Sequence, residues 1–291
     1  MTFMALLIKE MRLRMRRERT IWLVVSYILL LGLLGWFYIS VSSNNAVYGN
    51  NWASIGLGLY SILLTVQLLL IIFITPAFTS TAVNGEKERQ TFDLLLCSRL
   101  SSTSLVTGKL LAGLLNALIL IAASIPIFSL VFFFGGVSPT QALAALLIFV
   151  LTAVLTASLG LFCSTLVARP AISTALSYVL LLLWLGMPVL FAIIVPVRTS
   201  RMPAYLLWHP VVAMFSTYNY GSVNTNNTIS IGPFNLVAWQ VYSIYSVIAA
   251  LILIGLSLWL VKPQAWQRLQ LRLRKNNIET PGSEPKASAT A

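Results

Sequence analysis

Charge is what this sequence has least of. Only 9% of its 291 residues are charged, seven of them acidic, and it has one histidine and two cysteines, whereas 58% of the chain is hydrophobic. A soluble domain keeps about a quarter of its residues charged, so the composition excludes one and points to an integral membrane protein. Cys97 and Cys163 show no metal-ligand spacing, and both fall on the face assigned below to the cytoplasm, where thiols stay reduced. The single histidine, His209 in LWHP, has no acidic residue in its predicted loop to orient it. It therefore reads as a turn residue before a proline rather than part of a hydrolytic or metal site. Gly108-Lys109 is followed by Leu110 and preceded by no glycine-rich loop, so the chain lacks a phosphate cradle of the Gly-Lys-Ser/Thr kind. No Asp, Glu, His, Lys or Arg falls at membrane depth, which argues against a proton relay or voltage sensor. Sodium held by carbonyls and hydroxyls on broken helices stays open.

Long apolar runs, uncharged except for Lys109 near the cytoplasmic end of the third, are abundant. They cover 21–39, 55–83, 105–134, 142–167, 172–197 and 236–261, each close to or above the ~20 residues needed to cross the bilayer. The expected architecture is all-α, a six-span transmembrane domain over 20–261. The first run exceeds a signal-peptide core of about 7–15 residues, so it is expected to be retained as a span. Of 19 Lys and Arg, 17 lie on one face if both termini are cytoplasmic, and only Arg198 and Arg201 fall on the other. That asymmetry predicts a multi-pass protein of the cell membrane with both ends inside. The net charge of +12 then reflects membrane lipids rather than nucleic acid, because the basic residues flank the apolar runs.

Residues 1–19 form a separate unit. Met4, Leu7, Ile8, Met11 and Met15 share a helical stripe, with Lys9, Arg12, Arg16 and Arg17 outside it, the pattern of an amphipathic helix lying in the membrane interface. After 261 the chain becomes basic, and from 280 it is rich in Ser, Pro, Ala and Thr; 262–291 reads as a cytoplasmic tail without a core. Inside the spans, Gln67 and Asn116 are candidates for lining a substrate path, against the plainer reading of hydrogen bonds between helices.

Three of the seven acidic residues crowd into NGEKERQTFDLLLCSRLSSTS, residues 84–104, between the second and third spans. Gly85-Glu86-Lys87-Glu88-Arg89 is a solvated start, and Phe92, Leu95 and Leu96 then recur at the spacing of one helical face. Continued through Gly108-Lys109, this stretch resembles the signature after the second span in type 2 permeases of ATP-binding-cassette (ABC) export systems. The matching positions are Gly85, Glu86, Glu88, Arg89, Thr91, Leu94 to Leu96, Ser101 to Ser104 and Gly108-Lys109. Gln90 stands where the family often has glycine, and Cys97-Ser98-Arg99 where a proline is common.

The resemblance implies an export permease that binds no cofactor of its own and pairs with a second permease copy, identical or homologous. Cytoplasmic ABC ATPase subunits would hold ATP and Mg and push on a coupling helix carrying Glu86, Lys87, Glu88, Arg89, Thr91 and Asp93. Two other readings stay open on the sequence: a membrane scaffold or immunity protein that transports nothing, and a carrier acting alone.

Overall fold

A helix inside a bilayer satisfies its own backbone, and its polar side chains must find partners on neighbouring helices. The computed structural model describes residues 18–46, 52–88, 102–194, 203–218, 228–231 and 234–261, and its fold is all-α with six helices long and apolar enough to cross a membrane. They are α1 (Glu18–Ala46), α2 (Trp52–Thr79), α4 (Ser102–Phe134), α5 (Pro139–Leu166), α6 (Pro170–Ile194) and α8 (Ala238–Val261), with a short α3 (Asn84–Glu88) between α2 and α4. The expected interfacial helix at 1–19 lies almost wholly outside the described residues, as does the 262–291 tail.

Helix α5 is the centre of the bundle. Half of its most apolar window is buried, and it packs against α2, α4, α6 and α8. Its start is set by sequence: Ser138 accepts from the Gln141 amide while the Gln141 side chain accepts from the Ser138 amide, with Pro139 in the first turn, a reciprocal cap. The preceding turn needs Gly135 and Gly136, both at positive φ, where a side chain would be strained. A Cβ on Gly56 of α2 would meet the Gly135 carbonyl, so glycine on both elements lets α2 and this turn touch.

Polar pairs tie the spans together. Tyr27 of α1 donates to Gln67 of α2, and the Thr152 and Tyr242 hydroxyls share a 2.8 Å hydrogen bond between α5 and α8.

The connection between α6 and α8 is not a plain outer loop but contains regular structure. A 3₁₀ turn, Ala204–Leu206, leads to α7 (Pro210–Tyr218), and an antiparallel hairpin of β1 (Thr228–Ile231) and β2 (Phe234–Val237) precedes α8. The last span consequently begins at Ala238, because Leu236 and Val237 belong to β2.

Candidate functional site

The charged segment leaves the bundle where α2 ends, and the chemistry of that exit is built from small residues and hydroxyls. Thr79 closes α2 between two glycines: a Cβ on Gly113 of α4 would meet the Thr79 methyl, and one on Gly160 of α5 would meet its hydroxyl. Three helices thus approach closely at one side chain, as small residues permit in membranes. The chain then turns through Ser80–Val83, held by bonds from the Ser80 amide to the Pro76 carbonyl (2.8 Å) and from the Ala82 amide to the Thr79 carbonyl (3.1 Å).

Side chains from two other helices grip this turn. The Ser164 hydroxyl of α5 accepts from the amides of Val83 (2.9 Å) and Asn84 (3.2 Å). The Ser173 hydroxyl of α6 donates to the Ser80 carbonyl (2.8 Å). Thr174 spends its one proton on the Pro170 carbonyl (2.9 Å), so in its 3.1 Å contact with Ser80 the Ser80 hydroxyl is the donor. Ser80, Ser164 and Ser173 are buried, where such bonds are costly to lose.

From this turn, α3 carries the backbone of Glu86 and Lys87 and ends at Glu88, which is exposed. Arg89, Thr91 and Asp93 lie outside the described residues. Lys109, near the start of α4, is buried.

Gln67 and Asn116 are both buried. Gln67 is engaged by Tyr27, and its amide nitrogen has no hydrogen-bond partner among the described residues. Neither residue lines the cavity of about 350 Å³ between α2, α4 and α5, whose walls include Tyr60, Leu64, Ser124, Phe128 and Phe149.

At the opposite end of the bundle, the segment around His209 folds inward. His209 is buried, and four residues before it Tyr205 meets Phe191 of α6 with ring centroids 6.2 Å apart, three residues before that helix ends. Trp208 meets Tyr245 edge-on at 5.7 Å, seven residues into α8 and so about 10 Å from its start. From that depth α7 climbs back, burying Ala213, Met214, Ser216 and Thr217, and Thr217 comes to the first turns of α5 and α8 beside Thr140 and Trp239. Residues 203–218 are therefore re-entrant. Burial lowers the His209 pKa below its ordinary value. The sequence signal for this element was the apolar run of WHPVVAMF, too short for a span.

Comparison with known protein families matches residues 38–261 to the family described as ABC-2 family transporter protein. The chain belongs to that family. It is accordingly a membrane permease subunit of an ABC transporter, a class that transports rather than catalyses and associates with ABC ATPase subunits. Among individually curated proteins none matches it. The permease match runs across the α2–α3 turn, the re-entrant segment and the last span. Among the described residues, no group of His, Cys, Asp and Glu is arranged to hold a metal ion.

Proposed function

We propose that this permease exports a substrate across the cytoplasmic membrane, driven by ATP hydrolysis in separate cytoplasmic ATPase subunits and paired with a second permease copy, identical or homologous. ATP and Mg belong to the ATPase. Both termini face the cytoplasm, and the basic ends contact anionic lipid headgroups.

The observation that carries this reading is the short helix α3 with its exposed Glu88, leaving the bundle through a hydroxyl-bonded turn in a chain of the ABC-2 family. A charged helix on a rigid mount suits receipt of force, with Glu86, Lys87, Glu88, Arg89, Thr91 and Asp93 offered to the ATPase. The turn would pass the movement to the spans, since packed elements switch between discrete arrangements rather than deforming continuously.

Affinity purification of the permease from native membranes in mild detergent tests the assignment. A soluble ATPase should be recovered with it, and replacing Glu86, Glu88 and Arg89 together by alanine should lower that recovery about tenfold or more, equivalent to about 1.4 kcal/mol or more of binding. Undiminished recovery of an active ATPase by the triple variant would remove the coupling role. A monodisperse permease that never binds an ATPase would instead favour the scaffold or lone-carrier readings.

A further inference from the structure

The cavity between α2, α4 and α5 belongs to the end of the bundle away from the α2–α3 turn. On α4 its walls run from Ile121 to Phe132, two residues before that helix ends. On α5 they run from Pro139, the first residue of the helix, to Phe149. The step from Ile121 to Phe132 covers about 16 Å at 1.5 Å per residue, and one leaflet is half of the ~30 Å hydrocarbon core. The cavity is therefore a slot one leaflet deep. Spread over that depth, its volume of about 350 Å³ leaves a bore about 5 Å across, the width of one hydrocarbon chain, since non-bonded carbons approach to about 3.5–4.0 Å. A helix measures about 10–12 Å across, so a span of a second copy could cover the mouth but not fill the bore.

The walls are as apolar as the bore is narrow. Tyr60 meets Phe128 edge-on at 6.3 Å, and Phe128 meets Phe149 at 6.1 Å, giving three rings in contact along the slot. Ala142 and Ala145 of α5 leave the space by being small. The serine hydroxyls are committed within α4: Ser124 donates its one proton to the Ile121 carbonyl (2.7 Å) and Ser129 to the Pro126 carbonyl (2.6 Å). A cavity lined in this way stays dry, and left empty it forfeits the contacts of every side chain around it. On one side the slot is open, because Ile125 and Phe132 of α4 and Leu143 and Leu146 of α5 line it and are exposed. What lies beside them at that depth in a bilayer is hydrocarbon.

We propose that this slot holds one acyl chain of a membrane lipid, entering sideways between α4 and α5 and lying over the Tyr60, Phe128 and Phe149 rings. The chain completes the packing of α4 against α5 as a resident part of the fold. Gln67 and Asn116, the residues considered for a substrate path, do not line it. The lipid is selected by its chain, since no charged residue lies between Lys109 and Arg169 to favour one headgroup charge over another. The inference rests on the proposed topology only for the leaflet: with both termini in the cytoplasm, the lipid belongs to the outer one.

The test uses the full-length permease in phosphatidylcholine nanodiscs, with a small fraction of the lipid carrying a photoreactive diazirine at the end of one acyl chain or near its carboxyl. After irradiation, mass spectrometry of peptides locates the adducts. The terminal probe is expected to label Ile121 and Phe149, which are buried at the deep end of the slot, and the upper probe to label Val131 instead. Ala145→Phe should cut the labelling of Ile121 and Phe149 about fivefold or more, the scale of overpacking a filled site, while adducts on Leu251 of α8, which is exposed, persist. Should that variant not be monodisperse, Ala142→Phe decides by the same ratio. Absence of adducts from Ile121 and Phe149, labelling that ignores the depth of the probe, or labelling undiminished by the filled slot would overturn the proposal. Adducts that appear only once the permease is dissociated to single chains would overturn it in favour of a second copy. None of these outcomes bears on ATPase co-purification, which remains the separate test of the permease assignment.

Discussion

Thr79 shows how a single side chain sets the geometry of the α2–α3 turn. Its hydroxyl occupies the space a Cβ on Gly160 would need, and the Pro76 Cα and Ser80 nitrogen lie only 3.2 Å from that same point. Two of these three neighbours are backbone, so the site has little room to yield. Gly160→Ala is expected to destabilise the folded permease by about 1–3 kcal/mol, the usual range for overpacking. Adding Thr79→Ala should recover part of that loss, because residues in contact couple rather than add. Thermal unfolding in detergent of the two single variants and the double variant measures this; strict additivity would show that Thr79 does not fill the gap. Ser164→Ala addresses the neighbouring contact: it strips the Val83 and Asn84 amides of their shared acceptor, at a cost on the order of 1–3 kcal/mol.

Among the elements, the spans were legible and the grip on the α2–α3 turn was not. Continuous apolar runs with no ionisable residue at membrane depth are a signal intrinsic to each segment, so six helices and the all-α class could be read directly from hydropathy. The grip on the α2–α3 turn joins Ser80 to Ser173 and Thr174, more than ninety positions away, and nothing local distinguishes those hydroxyls from Ser158, which bonds within its own helix. Gln67 was singled out as polar, whereas its partner Tyr27 looked like one aromatic among many. His209 read as a turn residue because burial comes only from the tertiary packing of residues 203–218. That packing has a pH consequence. Burial holds His209 below its ordinary pKa of 6.5, so the unfolded chain binds the extra proton first as pH falls. Its contribution is complete above 6.5 and is lost as pH drops toward the lowered value. The thermal midpoint of the permease should therefore decline below pH 6.5, and His209→Asn should flatten that part of the profile; an identical decline in the variant would assign it to other groups.

For the whole molecule, firm packing lies at the centre and loose packing at the periphery. Helix α5 is held by cap, glycine contacts and buried hydroxyls, whereas α1 and α6 leave most of their apolar residues exposed, as suits helices in contact with lipid. The grip on the α2–α3 turn combines these extremes, and its described contacts contain no charge: every side-chain bond there is made by a serine or threonine hydroxyl. Mobile ions screen exposed charges within about 8 Å at physiological ionic strength but have little hold on buried neutral dipoles. If the ATPase docks on the charged α3 region as proposed, added salt should weaken that capture while leaving the thermal midpoint of the purified permease unaltered. On that proposed docking, ionic strength acts as a clutch, releasing the motor from the permease without loosening anything inside it.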